Sequence, residues 1–320
     1  MKLKLLCAAV FSAFAASAAF ADTYPARAVT LIVPFPAGGP ADGLARAYAS
    51  EMEKKLGQSV VVDNRPGGGT MTGVTAVSSA DPDGYTLGFT ASAVTIQPTV
   101  NPSLNFDPVR DLTAISMLVE PIQALAVNTK SGLNSVADLI AKAKANPGRV
   151  TFASTGQGTA THIGGEYFAQ FAGVEMVHVP YQGSAPAVVD LLAGRVDMLV
   201  DAISGPGAYF ESGELKPLAT TGPQRSGLTP DIPTVAETLP GWESRSFIGL
   251  IGPAALPQDI VDRLSAASAE AMADPALRER VKMLSMDVIS SDPATFKAQI
   301  ERDTEKWAKI LKNIGLVPAN

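Results

Sequence analysis

Between residues 29 and 89 the apolar positions follow two alternating rhythms. Val29-Thr-Leu-Ile-Val33 is a short β-branched run closed by Pro34, which predicts a buried strand. Leu44, Tyr48, Met52 and Leu56 then recur every four residues, the stripe of an amphipathic helix, with Asp42 as its expected N-cap and Gly57 as its stop. Val60-Val-Val62 predicts a second strand, residues 70–79 a second helix and residues 85–89 a third strand after the turn Asp81-Pro-Asp-Gly84. Strand, Gly-rich loop and helix in repetition predict an α/β fold around a parallel sheet.

The same grammar restarts near residue 122, which argues for a second domain over about 122–244. Strands are expected at 125–127, 150–153, 177–179 and 196–200, and helices at 136–145, 161–171 and 185–193. Residues 247–251 read as a strand followed only by helices. Asp292 before Pro293 caps the last helix, whose stripe Phe296, Ile300, Trp307, Leu311 and Ile314 reads as core.

The first 21 residues have a different pattern. Lys2 and Lys4 precede an uncharged apolar stretch from Leu5 to Phe20, and Ala19-Phe-Ala21 offers small residues to a signal peptidase, so cleavage before Asp22 and export are expected. The stretch is shorter than the roughly 20 residues that span a bilayer. Cleavage would remove Cys7, the single cysteine, and with it any disulfide or Cys-based metal site. The whole chain carries 25 basic and 31 acidic residues, net −6, which argues against nucleic acid or an anionic membrane surface as its partner.

Three Gly-rich segments, at 36–42, 66–72 and 154–159, fall where a predicted strand ends and a helix begins. Open α/β sheets bind ligands at that edge, and free backbone N–H groups there favour an anion such as a carboxylate. The plainer alternative for any one loop is that Gly and Pro merely end a strand. No Gly-x-x-x-x-Gly-Lys-Ser/Thr occurs, and Gly156-Gln-Gly158 lacks the third glycine of a dinucleotide site, Thr161 standing in its place. No Gly-x-Ser-x-Gly elbow or His-Glu-x-x-His pair occurs either. His162 could touch a ligand or stabilise the 154–159 loop, and His178 reads as structural. Asp197 and Asp201 flank a strand end. Arg65 could clamp a carboxylate or pair with a surface acid.

Taken together, Pro34-Phe-Pro-Ala-Gly-Gly39 with Asp42, Asn64-Arg-Pro-Gly-Gly-Gly69, Asp81-Pro-Asp-Gly-Tyr85, Gly158-Thr-Ala-Thr-His162, Val179-Pro-Tyr-Gln-Gly-Ser-Ala-Pro186 and Asp231-Ile-Pro-Thr-Val-Ala-Glu237 resemble the Bug family of periplasmic solute receptors serving tripartite tricarboxylate transporters. The resemblance implies a two-domain flytrap in the periplasm, with domain one made of 22–121 plus 245–320, domain two of 122–244, and a hinge near 118–122 and 243–247. It implies a small organic acid as ligand and membrane transporter subunits as partner, with no catalysis, cofactor or metal, and a monomeric chain. A receptor serving a membrane sensor kinase would use the same pocket. An exported hydrolase would need a nucleophile and base in contact, which the chain does not display.

Family loops hold a ligand carboxylate through backbone N–H groups and water. The residues expected at the ligand are therefore Phe35, Pro36, Gly38, Gly39, Ala41, Asp42, Met71 and Thr72 from one lobe, and Ser154, Gly156, Gly158, Thr159, His162, Tyr181 and Asp201 from the other. Pro40 and Ala41 replace a donor and a hydroxyl of the usual first loop, Met71 a common Asn, Gln182 a common Lys and Ala202 a common Asn. A less polar pocket follows, suited to one carboxylate on an apolar or aromatic body ahead of a highly charged acid such as citrate.

Overall fold

The structure, a computed structural model, describes residues 24–313 and 315–317. The expected signal segment lies outside the described residues. The chain begins with β1 (Val29–Val33), α1 (Pro40–Leu56), β2 (Val60–Asn64), α2 (Met71–Ser78), β3 (Thr86–Ala91), α3 (Ala93–Val100), α4 (Pro108–Asp111) and β4 (Leu112–Pro121). It crosses at Ile122 into β5 (Gln123–Asn128), α5 (Val136–Ala145), β6 (Val150–Ser154), α6 (Ala160–Ala172), β7 (Met176–Pro180), α7 (Ser184–Leu192), β8 (Met198–Ala202), α8 (Gly207–Glu211), β9 (Leu215–Thr220) and α9 (Val235–Thr238). It then returns through β10 (Ile248–Pro253), α10 (Gln258–Ala273), α11 (Pro275–Met283), β11 (Met286–Val288) and α12 (Pro293–Asn313).

Two sheets result, in the orders β11-β4-β10-β3-β1-β2 and β7-β6-β8-β5-β9. Each holds a parallel triplet, β2-β1-β3 in the first and β7-β6-β8 in the second. Beside each triplet lies an antiparallel strand that has just crossed from the other lobe, β10 in the first and β5 in the second. The expected parallel pairing is present in each triplet, and the structure adds antiparallel joins beside it. Parallel neighbours need a helical crossover, and a chain arriving directly from the other lobe enters in the opposite sense.

Each sheet is covered on both faces. In the first lobe, Leu44, Tyr48 and Met52 of α1 pack with Leu31 and Val33 on one side, and Met71, Val74, Phe296 and Ile300 pack with Ile32 on the other. In the second lobe, Phe168 and Leu139 meet Phe152 and Val200, while Val188 and Leu191 cover Ala153 and Leu199. A fully buried Leu, Ile or Phe contributes about 1.5–3 kcal/mol relative to exposure, so the helical stripes read from the sequence account for the two cores.

Three local expectations change. Helix α1 starts at Pro40, whose fixed φ and missing N–H suit the first helical position, so Gly39 is the N-cap and Asp42 lies inside the first turn. Strand β11 interrupts the region expected to be only helical, and at three residues it is too short to show a period. The last helix serves both lobes: Trp307 and Leu311 form a cluster with Ile96 of α3 and with Ala160 and Ile163 of α6. At the two crossings, Arg245 donates to Glu120 (Nε to Oε1 2.6 Å), and Phe247 N donates to Ser92 Oγ at 2.7 Å. No described helix is long and apolar enough to cross a membrane.

Candidate ligand site between the lobes

The first loop, between β1 and α1, is clasped by two side chains. Gly38 N donates to Asp42 Oδ2 at 2.9 Å, and Asn64 Nδ2 donates to Phe35 O at 3.1 Å and to Asp42 Oδ1 at 3.0 Å. Burial would raise the Asp42 carboxyl, but hydrogen bonds from Arg46, Gly38 N and Asn64 outweigh it and hold it below its usual value. Arg46 is committed to this ion pair at 3.0 Å, and Arg65 to Asp63 at 2.8 Å. The surface-pair alternative for Arg65 is the one found.

The second loop winds through positive φ at Gly67, Gly68, Gly69 and Thr70 before α2 begins. A Cβ on Gly73 would stand 2.8 Å from Pro34 Cβ, so glycine lets this loop lie flat on the first. Met71, expected to wall the pocket, instead packs in the first-lobe core beside Ile32 and Val74. The first helical residue of α2 points to the sheet because Val74 and Val77 share its face. Thr72 is exposed.

The third loop, Ser154–Thr159, is braced from behind by a stacked histidine pair, His162 on α6 and His178 on β7, with ring centroids 3.9 Å apart. Gly158 N donates to His162 Nδ1 at 3.1 Å, and His178 Nε2 lies 2.7 Å from Ser154 Oγ. Ser154 Oγ also lies within hydrogen-bond range of Gly156 O and Gly156 N. Of the two roles open to His162, the geometry gives it loop support. Burial, and then the His162 ring, push His178 down to about 3, so that ring stays uncharged near neutral pH.

Glu166 joins these two rings in a cluster of ligand-type atoms lying within 4.8 Å of one another. Its hydrogen bonds do not suit a metal. Because His162 Nδ1 accepts from Gly158, a neutral ring carries its proton on Nε2, the nitrogen facing Glu166 at 3.7 Å. No lone pair is left there for coordination.

Tyr181 borders the third loop, its N–H donating to Ser154 O at 3.2 Å, and Asp201 lies near the end of β8. Tyr181 OH donates to Asp190 at 2.7 Å, and burial followed by this bond pushes the hydroxyl up to about 12. Asp201 accepts from Ser184 Oγ and, at 2.7 Å, from Ala202 N. Burial pushes its carboxyl up to about 6 despite those bonds. A carboxyl whose folded value lies above its unfolded one contributes stability below about pH 4 that is lost as pH rises through 6. Asp201→Asn, which keeps the side chain neutral at every pH, is therefore expected to raise unfolding free energy at pH 7 by about 1–2 kcal/mol. At pH 3.5 it should leave that free energy unchanged. Urea unfolding at the two pH values measures it.

The lobes meet at these loops. Gln97 Nε2 of α3 donates to Gln157 O at 3.4 Å. A Cβ on either Gly69 or Gly158 would overlap the Gln97 amide, so that side chain lies between one glycine of each lobe. Sequence reasoning misses Gln97, since nothing around it carries a local signal. The loop donors are also used differently from the expectation. The N–H groups of Gly38, Gly156 and Gly158, expected to face a ligand, are spent on Asp42, Ser154 and His162. The first turn of α1 still leaves the N–H groups of Ala41 and Asp42 without intrahelical partners. Buried side-chain atoms without partners add Thr70 Oγ1, Thr90 Oγ1, Gln123 Oε1 and Ser244 Oγ, on the loops, strand ends and crossings between the lobes.

Two α/β lobes joined by two crossings, with unpaired polar groups where they meet, give the chain the architecture of periplasmic binding proteins. The profile of the tripartite tricarboxylate transporter family receptor matches residues 44–316, and the chain belongs to that family. It is 34% identical over 298 residues to the protein BugT of Bordetella pertussis, covering 92% of this chain and 91% of that one. The Rpa4515 protein of R. palustris, solved with adipate, superposes with a TM-score of 0.86 at 31% identity, covering 92% of this chain and all of that one. MatC of Rhodopseudomonas palustris, with bound malate, gives a TM-score of 0.83 at 27% identity, covering 90% of this chain and all of that one.

Proposed function

We propose that this chain is a periplasmic receptor that closes its lobes over a small organic acid, one carboxylate on an apolar body, and delivers it to a membrane transporter without chemical change. The observation that carries the reading is the pairing of two cations near the loops: Arg46 with Asp42 and Arg65 with Asp63. A site whose guanidinium groups are already paired recognises a carboxylate through N–H and O–H donors and water, which suits one negative charge better than three. Phe35 and Ala41, both partly buried, add apolar surface beside the free donors of α1. Relatives that hold adipate and malate support a carboxylate ligand.

A thermal-shift screen tests the reading with adipate, malate, citrate, hexanoate and benzoate. A bound acid at 100 times its dissociation constant adds about 2.7 kcal/mol of stability. Adipate, hexanoate or benzoate is expected to shift the unfolding temperature more than citrate. A shift with citrate alone overturns the apolar-body reading, and no shift with any acid overturns the receptor reading.

A further inference from the structure

Thr70 is in a conformation that works against it. Its φ of +82° lies in the left-handed region, where a β-branched side chain is strained, and three glycines with positive φ precede it. The residue is 6% exposed, and its hydroxyl has no hydrogen-bond partner within the protein. Among the described residues it alone combines a left-handed non-glycine backbone with an orphaned buried polar atom. Both features destabilise the isolated protein, and glycine at this position would remove both.

The location suggests what offsets them. Gly69, the preceding residue, is at the contact between the lobes, where a Cβ would stand 2.8 Å from the carbonyl oxygen of Gln157. Thr70 thus belongs to the loop that meets the second lobe, and its oxygen is desolvated before any ligand arrives. A donor that has already lost its water gains a full hydrogen bond when a carboxylate oxygen reaches it.

We propose that Thr70 is a specificity residue of the inter-lobe site, its hydroxyl donating to an oxygen of the bound acid. This rests on the receptor reading. Strain and an orphaned donor persist in the empty protein because both are relieved or used in the complex.

The test uses the full mature chain and its Thr70→Ser, Thr70→Val and Thr70→Gly variants, with adipate, hexanoate and benzoate as probes. Without acid, Thr70→Gly and Thr70→Val are expected to unfold at higher temperature than wild type. By calorimetry, Thr70→Val and Thr70→Gly are expected to bind the best probe about tenfold more weakly, a change of about 1.4 kcal/mol, and Thr70→Ser within about threefold of wild type. A lower unfolding temperature for acid-free Thr70→Val would show that the hydroxyl has a partner within the protein, and overturns the proposal. So does wild-type affinity in Thr70→Val. If wild type binds none of the three probes, the apolar-body reading and this proposal fail together, and the receptor reading fails as well only if malate and citrate do not bind either.

Discussion

Replacing Trp307 by alanine is expected to lower unfolding free energy by about 3–5 kcal/mol, the range for emptying a fully buried aromatic site. The indole is 2% exposed and is enclosed by Ile96 of the first lobe, Ala160 and Ile163 of the second, and Leu311 of its own helix. It also meets Tyr167 edge to face at a centroid distance of 6.4 Å. Rigid elements of two lobes surround the cavity, so neither can collapse inward without disturbing the other. Trp307→Phe should cost clearly less, because part of the ring volume remains. Urea denaturation of both variants measures this, and a loss below about 1 kcal/mol for Trp307→Ala would show that α12 does not join the lobes as described.

Gly69→Ala is expected to weaken acid binding by about 30-fold or more, equivalent to about 2 kcal/mol. Alanine at φ +60° is strained by about 1–2 kcal/mol, a cost to folding that free and bound protein share; binding suffers because the added methyl would overlap the Gln97 amide and stand 2.8 Å from the Gln157 carbonyl oxygen of the opposing lobe. A backbone atom cannot step aside, so lobe closure is blocked. Gly158→Ala provides the contrast, since the three atoms nearest its added methyl all belong to the Gln97 side chain. Removing that side chain in Gly158→Ala/Gln97→Ala should recover most of the affinity lost by Gly158→Ala, whereas in Gly69→Ala/Gln97→Ala the contact with Gln157 remains and most of the loss should persist. Titration calorimetry of the five variants forms the two cycles. Full recovery in the Gly69 pair would sink the claim that Gln157 is the obstacle.

Much of the architecture is legible along the chain. The Val29–Val33 run, the Leu44–Leu56 stripe and the Gly-rich turns between them appear as elements β1 and α1 and the loops around them. Strands β4 and β9 escape the pattern. Their partners are strands that cross between the lobes, so neither belongs to a local strand-loop-helix unit. Helix α3 escapes it as well, for it carries Pro98 inside and no charged stripe.

The site is legible as loops and illegible as donors. Glycine spacing marks where a loop must turn, yet whether Gly158 N faces a ligand or His162 Nδ1 depends on an imidazole four residues away. Likewise, Thr70 looks like an ordinary helix-initiating threonine until its φ and its unpartnered hydroxyl are known. A carboxylate's pairing is equally hidden in Arg46, which reaches Asp42 and Asn64 together.

The α/β class, the two-lobed order of elements, the loops at the strand ends and the family could all be read from residues 29 to 316 as a linear string, because hydrophobic period and turn chemistry are local properties of a chain. The antiparallel joins, the helix that packs on both lobes, the Gln97 contact and the identity of the free N–H and O–H groups emerge only on folding. Those depend on distances between residues far apart in sequence, and a hydrogen bond is formed or lost within a few tenths of an ångström.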